Sequence, residues 1–191
     1  DYENAIKDYA EIIKRFPFSR YAQQAQLDMA YTHYEQNEPD LALAEADHFI
    51  KLYPRHAQVD YAYYLKGLIN FKRGAGFLDE LLNMDPARRD PRAARDAQQI
   101  FTQLLQQFPN SRYAEDAAQR LIYLNQRLMR YELIVAQYYF GRSAYVAAAN
   151  RAKYALENYP TSPATPDLLT VMAQSYEKLG LHDLAHDAWR V

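Results

Sequence analysis

The feature that most constrains this chain is a proline that recurs four times directly after an aromatic residue. The pairs are Phe16-Pro17, Tyr53-Pro54, Phe108-Pro109 and Tyr159-Pro160. Two of them lie in nearly identical segments, RFPFSRYAQQA and QFPNSRYAEDA. Because the residue before a proline is disfavoured in the α region, each pair predicts the end of a helix. The recurrence therefore indicates a repeated structural unit.

The residues before each proline share a helical periodicity. Small or apolar residues recur 12, 8 and 5 positions before each proline, which places them on one helix face. The first of these positions is an alanine in all four cases: Ala5, Ala42, Ala97 and Ala148. An alanine at a fixed phase indicates that a second helix crosses closely there.

That second helix is predicted after each proline, over residues 20–36, 57–72, 111–140 and about 165–179. Ser19, Asn110 and Ser111 are candidate N-caps, and Gly141 and Gly180 are candidate helix stops. The first proline spacing, 54 − 17 = 37 residues, is close to the tetratricopeptide repeat of about 34. We predict an all-α, right-handed solenoid of tetratricopeptide-like helix pairs, with four to five repeats of which the first is truncated.

Two departures from a regular array are visible in the sequence. An insert at about 73–90 separates N-terminal repeats at about 1–72 from C-terminal repeats at about 91–191, within a single domain predicted over residues 1–191. Asp90-Pro91 is predicted to restart a helix after that insert. An unbroken apolar stripe with 3–4 spacing predicts an unusually long helix within 111–140.

The composition excludes several classes of protein. The chain has no cysteine, so it has no disulfide or thiolate chemistry, and its net charge of −2 gives no strong field for nucleic acid or an anionic membrane. No apolar run has the length of a transmembrane helix. The chain starts at Asp1 without an initiator methionine, and we interpret it as a piece of a longer protein.

The sequence offers little for catalysis. His182 and His186 have the i, i+4 spacing of zinc proteases, but no third ligand is identifiable. The carboxylate pairs Asp79-Glu80 and Glu115-Asp116 are adjacent residues, which diverge on a helix. No phosphate-binding glycine loop or nucleophile elbow is present. We therefore expect no enzyme activity, no cofactor and no metal site.

One basic cluster is present, formed by Arg88, Arg89, Arg92 and Arg95. Aspartates are interleaved with these arginines, so internal ion pairs or a protein contact are favoured over nucleic-acid binding. Tyrosine is abundant, with 18 residues, and most are expected to pack between helices. Stacked helix pairs also present an extended surface suited to peptides. Some of five tyrosines are expected to line it: Tyr31, Tyr34, Tyr61, Tyr63 and Tyr64.

The order of these segments resembles the BamD (ComL) family, the tetratricopeptide lipoproteins of the β-barrel assembly machinery in Gram-negative bacteria. The resemblance covers essentially the whole chain. Its most specific parts are the RDP restart after the insert and the long helix RLIYLNQRLMRYELIVAQYY, and it is also carried by RFPFSRYAQQAQLDMAYTHY and AYVAAANRAKYALENYP. The lipidated N-terminal cysteine of the family is absent from this chain.

The resemblance implies a non-enzymatic scaffold at the periplasmic face of the outer membrane, lipid-anchored in its full-length form. It implies that the C-terminal repeats bind the POTRA region of BamA, with Arg151 facing BamA and Arg142 and Tyr145 nearby. It implies that the N-terminal repeats receive segments of unfolded outer-membrane proteins or accessory lipoproteins such as BamC and BamE. The tyrosines assigned to that peptide or accessory groove are Tyr31, Tyr34, Tyr61 and Tyr64.

Two other tetratricopeptide scaffolds are alternatives. The CpoB-type coordinator of the Tol–Pal system has similar YPxSxYAxxA joints but lacks the RDP insert and the long helix. Cytosolic co-chaperones of this class grip C-terminal carboxylates with a Lys/Asn/Arg clamp, which is not identifiable in this sequence.

Overall fold

The computed structural model describes residues 1–74, 85–88, 90–159 and 162–190. These residues form nine α-helices and one short 3-10 helix, Pro86–Arg88. The α-helices are α1 (Tyr2–Arg15), α2 (Arg20–Glu35), α3 (Pro39–Leu52), α4 (Val59–Gly74), α5 (Arg92–Gln107), α6 (Ala114–Gly141), α7 (Tyr145–Asn158), α8 (Thr165–Lys178) and α9 (His182–Arg190). The prediction of an all-α fold built from helix pairs is confirmed.

The four aromatic-proline pairs end their helices as predicted. Phe16, Tyr53 and Tyr159 lie just past α1, α3 and α7, with nearly equal φ of −134°, −129° and −133° and ψ of 55° to 64°. Each of the three donates its backbone N–H to the carbonyl four residues earlier, and Phe108 does the same at 2.8 Å. One local geometry therefore ends α1, α3 and α7, and α5 ends with the same backbone hydrogen bond.

The predicted crossing face is buried wherever a helix has neighbours on both sides. Ala42, Ala97 and Ala148 are fully buried, as are the apolar residues that follow at the same phase, including Phe49, Phe101 and Ala152. In α1 the equivalent Ala5 is only half-buried, and no residue of that helix is fully buried. Within the described residues, α1 packs on α2 and each following helix up to α5 packs on the one before it.

The predicted caps have mixed outcomes. The Ser19 side chain accepts a hydrogen bond from the N–H of Ala22 at 3.1 Å, as an N-cap should. The assignment of Asn110 or Ser111 as N-cap is wrong, because α6 begins only at Ala114. The Ser111 hydroxyl donates to Asp60 and accepts from the N–H of Tyr113, before the helix begins. Gly180 follows α8 with φ +73°, a left-handed conformation that suits glycine.

The described chain divides into two compact units. Unit 1 comprises Asp1–Ala75 and Arg92–Leu121, and unit 2 comprises Gly76–Pro91 and Ile122–Val191. Most of the predicted insert, residues 75–84 and 89, lies outside the described residues, and so do Asp79-Glu80 and Arg89. The single domain over residues 1–191 stays a prediction. Within the described ranges, every helix is too short or too polar to cross a bilayer.

Candidate protein-binding sites

The predicted BamA-facing arginine forms an ion pair inside unit 2. Arg151 on α7 places Nη1 3.1 Å from Oε2 of Glu132 on α6. The Glu132 side chain is completely buried, whereas that of Arg151 remains 36% exposed. A buried carboxylate needs such a partner because an unpaired charge in the interior is strongly destabilising. Arg151 therefore has a structural role in addition to any role at the surface.

Arg151 also lines a shallow cleft of about 360 Å³ between α6 and α7. We call it the arginine cleft; its lining residues are Tyr139, Ala147, Asn150, Arg151 and Tyr154. Asn150 and Tyr154 are exposed, so polar and aromatic groups surround a partly exposed guanidinium. Arginine recognises carboxylates through a planar fork of donors, and aromatic walls strengthen such recognition. The cleft suits an acidic side chain of a protein partner.

The other two predicted residues of this site lie at the adjoining turn. The Arg142 guanidinium stands over the ring of Tyr138 at 5.1 Å, and both residues are exposed. Tyr145 packs edge-on against Phe140 at 5.4 Å and is half-buried. Arg142 is thus available to a partner, while Tyr145 also supports the turn between α6 and α7.

In unit 1, two tyrosines of α4 and one from the turn just before α6 form a stack that we call the tyrosine cluster: Tyr61, Tyr64 and Tyr113. The rings of Tyr64 and Tyr113 are parallel at 4.6 Å, and the Tyr61 ring lies 5.4 Å from Tyr113. Burial, reinforced by the neighbouring Tyr113 and Tyr31, raises the pKa of Tyr61 to about 12. Two of the four predicted groove tyrosines thus share one surface.

A charged pair closes one side of the tyrosine cluster. The Tyr64 hydroxyl donates to Asp116 at 2.7 Å, and Arg120 donates to the same carboxylate at 2.5 Å. Burial alone would raise the pKa of Asp116, but the hydrogen bonds from Arg120 and Tyr64 outweigh it and hold that pKa below its usual value. The cluster therefore combines apolar ring faces with an ionic rim, as peptide-binding grooves do.

The remaining groove tyrosines lie on α2. The rings of Tyr31 and Tyr34 are 6.3 Å apart, and Tyr31 is 44% exposed. Tyr34 is half-buried, with the Lys72 ammonium 5.0 Å from its ring. Tyr63 points elsewhere, because its ring packs on Phe108 and its hydroxyl accepts a hydrogen bond from Gln103. Whether these tyrosines bind a peptide stays a prediction.

Several residues of these sites were missed by sequence reasoning. Tyr113 could have been found from the repeated SRYA segment, and Asp116 with Arg120 from their i, i+4 spacing. Glu132 gave no signal, because it occupies a long helix whose stripe was interpreted only for its apolar residues. Tyr139 and Tyr154 gave no signal that distinguishes them from the other tyrosines of the chain.

The chemistry of the described residues is that of binding surfaces. His182 and His186 are both exposed, and the part of the chain that the structure describes contains no group of three His, Cys, Asp or Glu side chains arranged to hold a metal ion. Of the predicted basic cluster, Arg88 is exposed and Arg95 is half-buried. Nearby, Asp85 pairs with Arg130 of α6 at 3.0 Å, which ties the end of the insert to that helix.

Paired helices, two aromatic surfaces with charged rims and the resemblance in sequence point to one class of protein. The family model described as "Outer membrane lipoprotein" (YfiO) matches residues 1–191, and the chain belongs to this family. Membership indicates the Gram-negative outer membrane as its location. It also confirms the expectations of a BamD-like scaffold and of a protein that is not an enzyme.

The named relatives are more specific. The outer membrane protein assembly factor BamD of Neisseria meningitidis serogroup A is 44% identical over 191 residues, which is 100% of this chain and 72% of the relative. BamD of Xylella fastidiosa strain Temecula1 is 37% identical over the whole chain and 65% of its own length, and BamD of Vibrio cholerae is 37% identical over 94% and 74%. A crystal structure of MamA aligns at TM-score 0.35 and 19% identity, covering 100% of this chain and 85% of MamA, a likeness too remote to support an argument.

Proposed function

We propose that this chain is a non-enzymatic adaptor in the assembly of outer-membrane β-barrel proteins, and that its arginine cleft binds the POTRA region of BamA. The observation that carries the proposal is the partly exposed guanidinium of Arg151 in a cleft walled by Tyr139 and Tyr154. Such a site suits a carboxylate on the partner, flanked by apolar contacts. In the full-length protein a lipid anchor would hold this adaptor at the periplasmic face of the outer membrane.

The test is a calorimetric titration with the soluble POTRA region of BamA from the same organism. Arg151→Glu is a poor first variant, because it would set a second carboxylate against the buried Glu132 and destabilise the fold. Arg142→Glu and Tyr154→Ala alter the surface without touching that ion pair. Tyr154→Ala should weaken binding about tenfold if the ring is a buried anchor, and Arg142→Glu should weaken it less and mostly at low salt.

The matched control is Lys178→Glu, which reverses an exposed charge on α8 in the same unit. Its affinity for POTRA should equal that of the wild type. If Arg142→Glu and Tyr154→Ala also bind like the wild type, the arginine cleft is the wrong surface. If the wild type itself does not bind, the adaptor proposal fails, and the alternative function as a CpoB-type coordinator of the Tol–Pal system is favoured.

We further propose that unit 1 binds an extended, aromatic segment of an unfolded outer-membrane protein across the tyrosine cluster and Tyr31. Support comes from the juxtaposition of ring faces with the Asp116–Arg120 rim, which gives both stacking surfaces and polar partners. An accessory lipoprotein such as BamC or BamE would compete for the same surface if it bound there.

This second site is tested by fluorescence anisotropy with a labelled peptide from a barrel protein of the same organism. Tyr31→Ala, at an exposed position, should weaken binding at least about threefold, the low end of what one aromatic contact contributes. Tyr154→Ala should leave peptide binding unchanged, and Tyr31→Ala should leave POTRA binding unchanged. Equal peptide affinity for wild type and Tyr31→Ala would contradict the assignment.

A further inference from the structure

We propose that Glu132 is a positioning residue, which fixes the Arg151 guanidinium so that its remaining donors are directed at a carboxylate of the bound partner. The inference rests on the proposed function of the arginine cleft and adds a residue to it. Glu132 cannot touch a partner itself, since its side chain is completely buried.

The first step of the argument is the count of donors on Arg151. A guanidinium carries five N–H groups in a rigid plane. Arg151 donates from one nitrogen, Nη1, to Glu132. Glu132 is its one hydrogen-bonded partner among the described residues. The rest of the fork belongs to a side chain that is 36% exposed and lines the cleft. The ion pair therefore anchors the arginine without exhausting it.

The second step concerns rigidity. Glu132 and Arg151 lie well inside α6 and α7, and the flanking residues Ala148 and Ala152 of α7 are completely buried. The carboxylate therefore has little freedom to move. Arginine is one of the side chains that lose most rotamer freedom when they are immobilised. Because Glu132 already holds Arg151, part of that loss is incurred on folding and is avoided on binding, which raises affinity by preorganisation.

The third step separates positioning from a purely structural role. If Glu132 only held α6 against α7, its replacement would lower stability and would affect binding with or without the arginine. If it acts through Arg151, its replacement matters for binding only while the arginine is present. A double-mutant cycle distinguishes these cases, because it isolates the coupling between two residues.

The variants are Glu132→Gln, Arg151→Met and the double substitution. Arg151→Met leaves the buried Glu132 without this partner, so every variant is titrated against the POTRA region at a temperature where thermal unfolding shows it to be folded. Glutamine keeps the shape of Glu132 and one oxygen that can accept from Nη1, but it removes the charge. Glu132→Gln should weaken POTRA binding about fivefold while Arg151 is present, as expected when a charge-assisted hydrogen bond becomes a neutral one. It should have no effect in the Arg151→Met background. An unchanged affinity, or an equal loss in both backgrounds, overturns the proposal.

A second measurement does not depend on the partner. Side-chain nitrogen NMR of the free protein should show Arg151 as ordered in the wild type and averaged like a solvent-exposed arginine in Glu132→Gln. Equal order in both proteins would overturn the positioning role even if POTRA binds. Absence of POTRA binding by the wild type, with the NMR difference present, would reject the proposed partner and keep the role of Glu132.

Discussion

The helix pairs α2–α3 and α4–α5 pack through equivalent positions, but residues of different size occupy these positions. Where α2 and α3 pack together, Ala30 and Ala46 belong to one buried cluster. The positions with the same spacing from their prolines in the next pair are Gly67 on α4 and Phe101 on α5. A Cβ on Gly67 would lie 2.7 Å from ring atoms of the fully buried Phe101. The first pair therefore packs through two small side chains. The second packs through a glycine, which has no side chain, and a large aromatic ring.

The two SRYA segments also place equivalent residues in different surroundings. Tyr21 and Tyr113 are equivalent in sequence. The guanidinium of the preceding arginine lies over each ring, 5.1 Å from the ring centre for Arg20 and 4.8 Å for Arg112. Tyr113 is also stacked on Tyr64, whereas Tyr21 is 63% exposed. The difference arises because α4 supplies rings to Tyr113. A repeated motif therefore specifies backbone geometry, and its neighbours decide what its side chains do.

The largest expected effect is at the α4–α5 crossing. Phe101→Ala should lower the free energy of unfolding by about 3–5 kcal/mol through the cavity it leaves. Gly67→Ala should cost about 1–3 kcal/mol, because the added methyl group collides with the ring. In the Phe101→Ala background, Gly67→Ala should cost nothing. Urea unfolding of the four proteins measures this, and additive losses would mean that the two residues do not share one space.

The next effect separates the two tyrosines. Tyr113→Ala should cost about 2 kcal/mol, since it removes a stacked ring from the tyrosine cluster. Tyr21→Ala should cost less than about 0.5 kcal/mol, as an exposed substitution usually does. Thermal unfolding compares them directly. Equal losses at both positions would show that the rings of α4 contribute nothing to the difference.

A third prediction distinguishes the two serines of these segments. Ser19→Asp should cost no more than about 0.5 kcal/mol, because aspartate caps a helix as well as serine does. The hydrogen bond that it loses, from the Ser19 hydroxyl to the Phe16 carbonyl at 2.8 Å, is exposed. Ser111→Asp should destabilise by about 1–2 kcal/mol, because it replaces a hydroxyl that donates to Asp60 at 2.6 Å with a second carboxylate. The readout is the midpoint of urea unfolding. A neutral Ser111→Asp would refute the assigned contact.

The smallest effect is a pH dependence confined to the tyrosine cluster. The pKa of Asp116 is lowered in the folded state, so between the folded value and the unfolded value of 3.8 the unfolded chain binds more protons. Its contribution to stability is therefore present above pH 3.8 and is lost as the pH falls through the folded pKa. Asp116→Asn should reduce stability at neutral pH and flatten this acid limb. Parallel stability curves for the two proteins would contradict the shift.

Features set by local interactions were predictable from the sequence. The helix ends at Phe16, Tyr53 and Tyr159 follow from the effect of the next proline, and the long α6 follows from its uninterrupted stripe. Ser19 was correctly identified as a cap because its partner, the N–H of Ala22, lies three residues away. Fold class depends on the sum of such local signals, which is why it was predicted correctly.

Features set by distant partners were not predictable in this way. Ser111 was assigned as a cap, but Asp60, 51 residues earlier, accepts its hydroxyl hydrogen bond. Glu132 and Arg151 lie 19 residues apart across the turn between α6 and α7, so neither residue indicated the other. A single sequence contains the residue types of a site, but the pairing of those residues is decided by how the helices pack.

The pairing of each helix with its neighbour in the chain has a kinetic consequence. Within unit 1, the helices α1 to α5 pack in sequence order, so the first contacts to form close loops of only a few tens of residues. Contacts that are close in sequence favour fast folding, because little loop entropy is lost before they form. Nucleation can begin at any helix pair and spread to the next. The N-terminal helix pairs of this protein can thus acquire structure before the C-terminal part of the chain is in place.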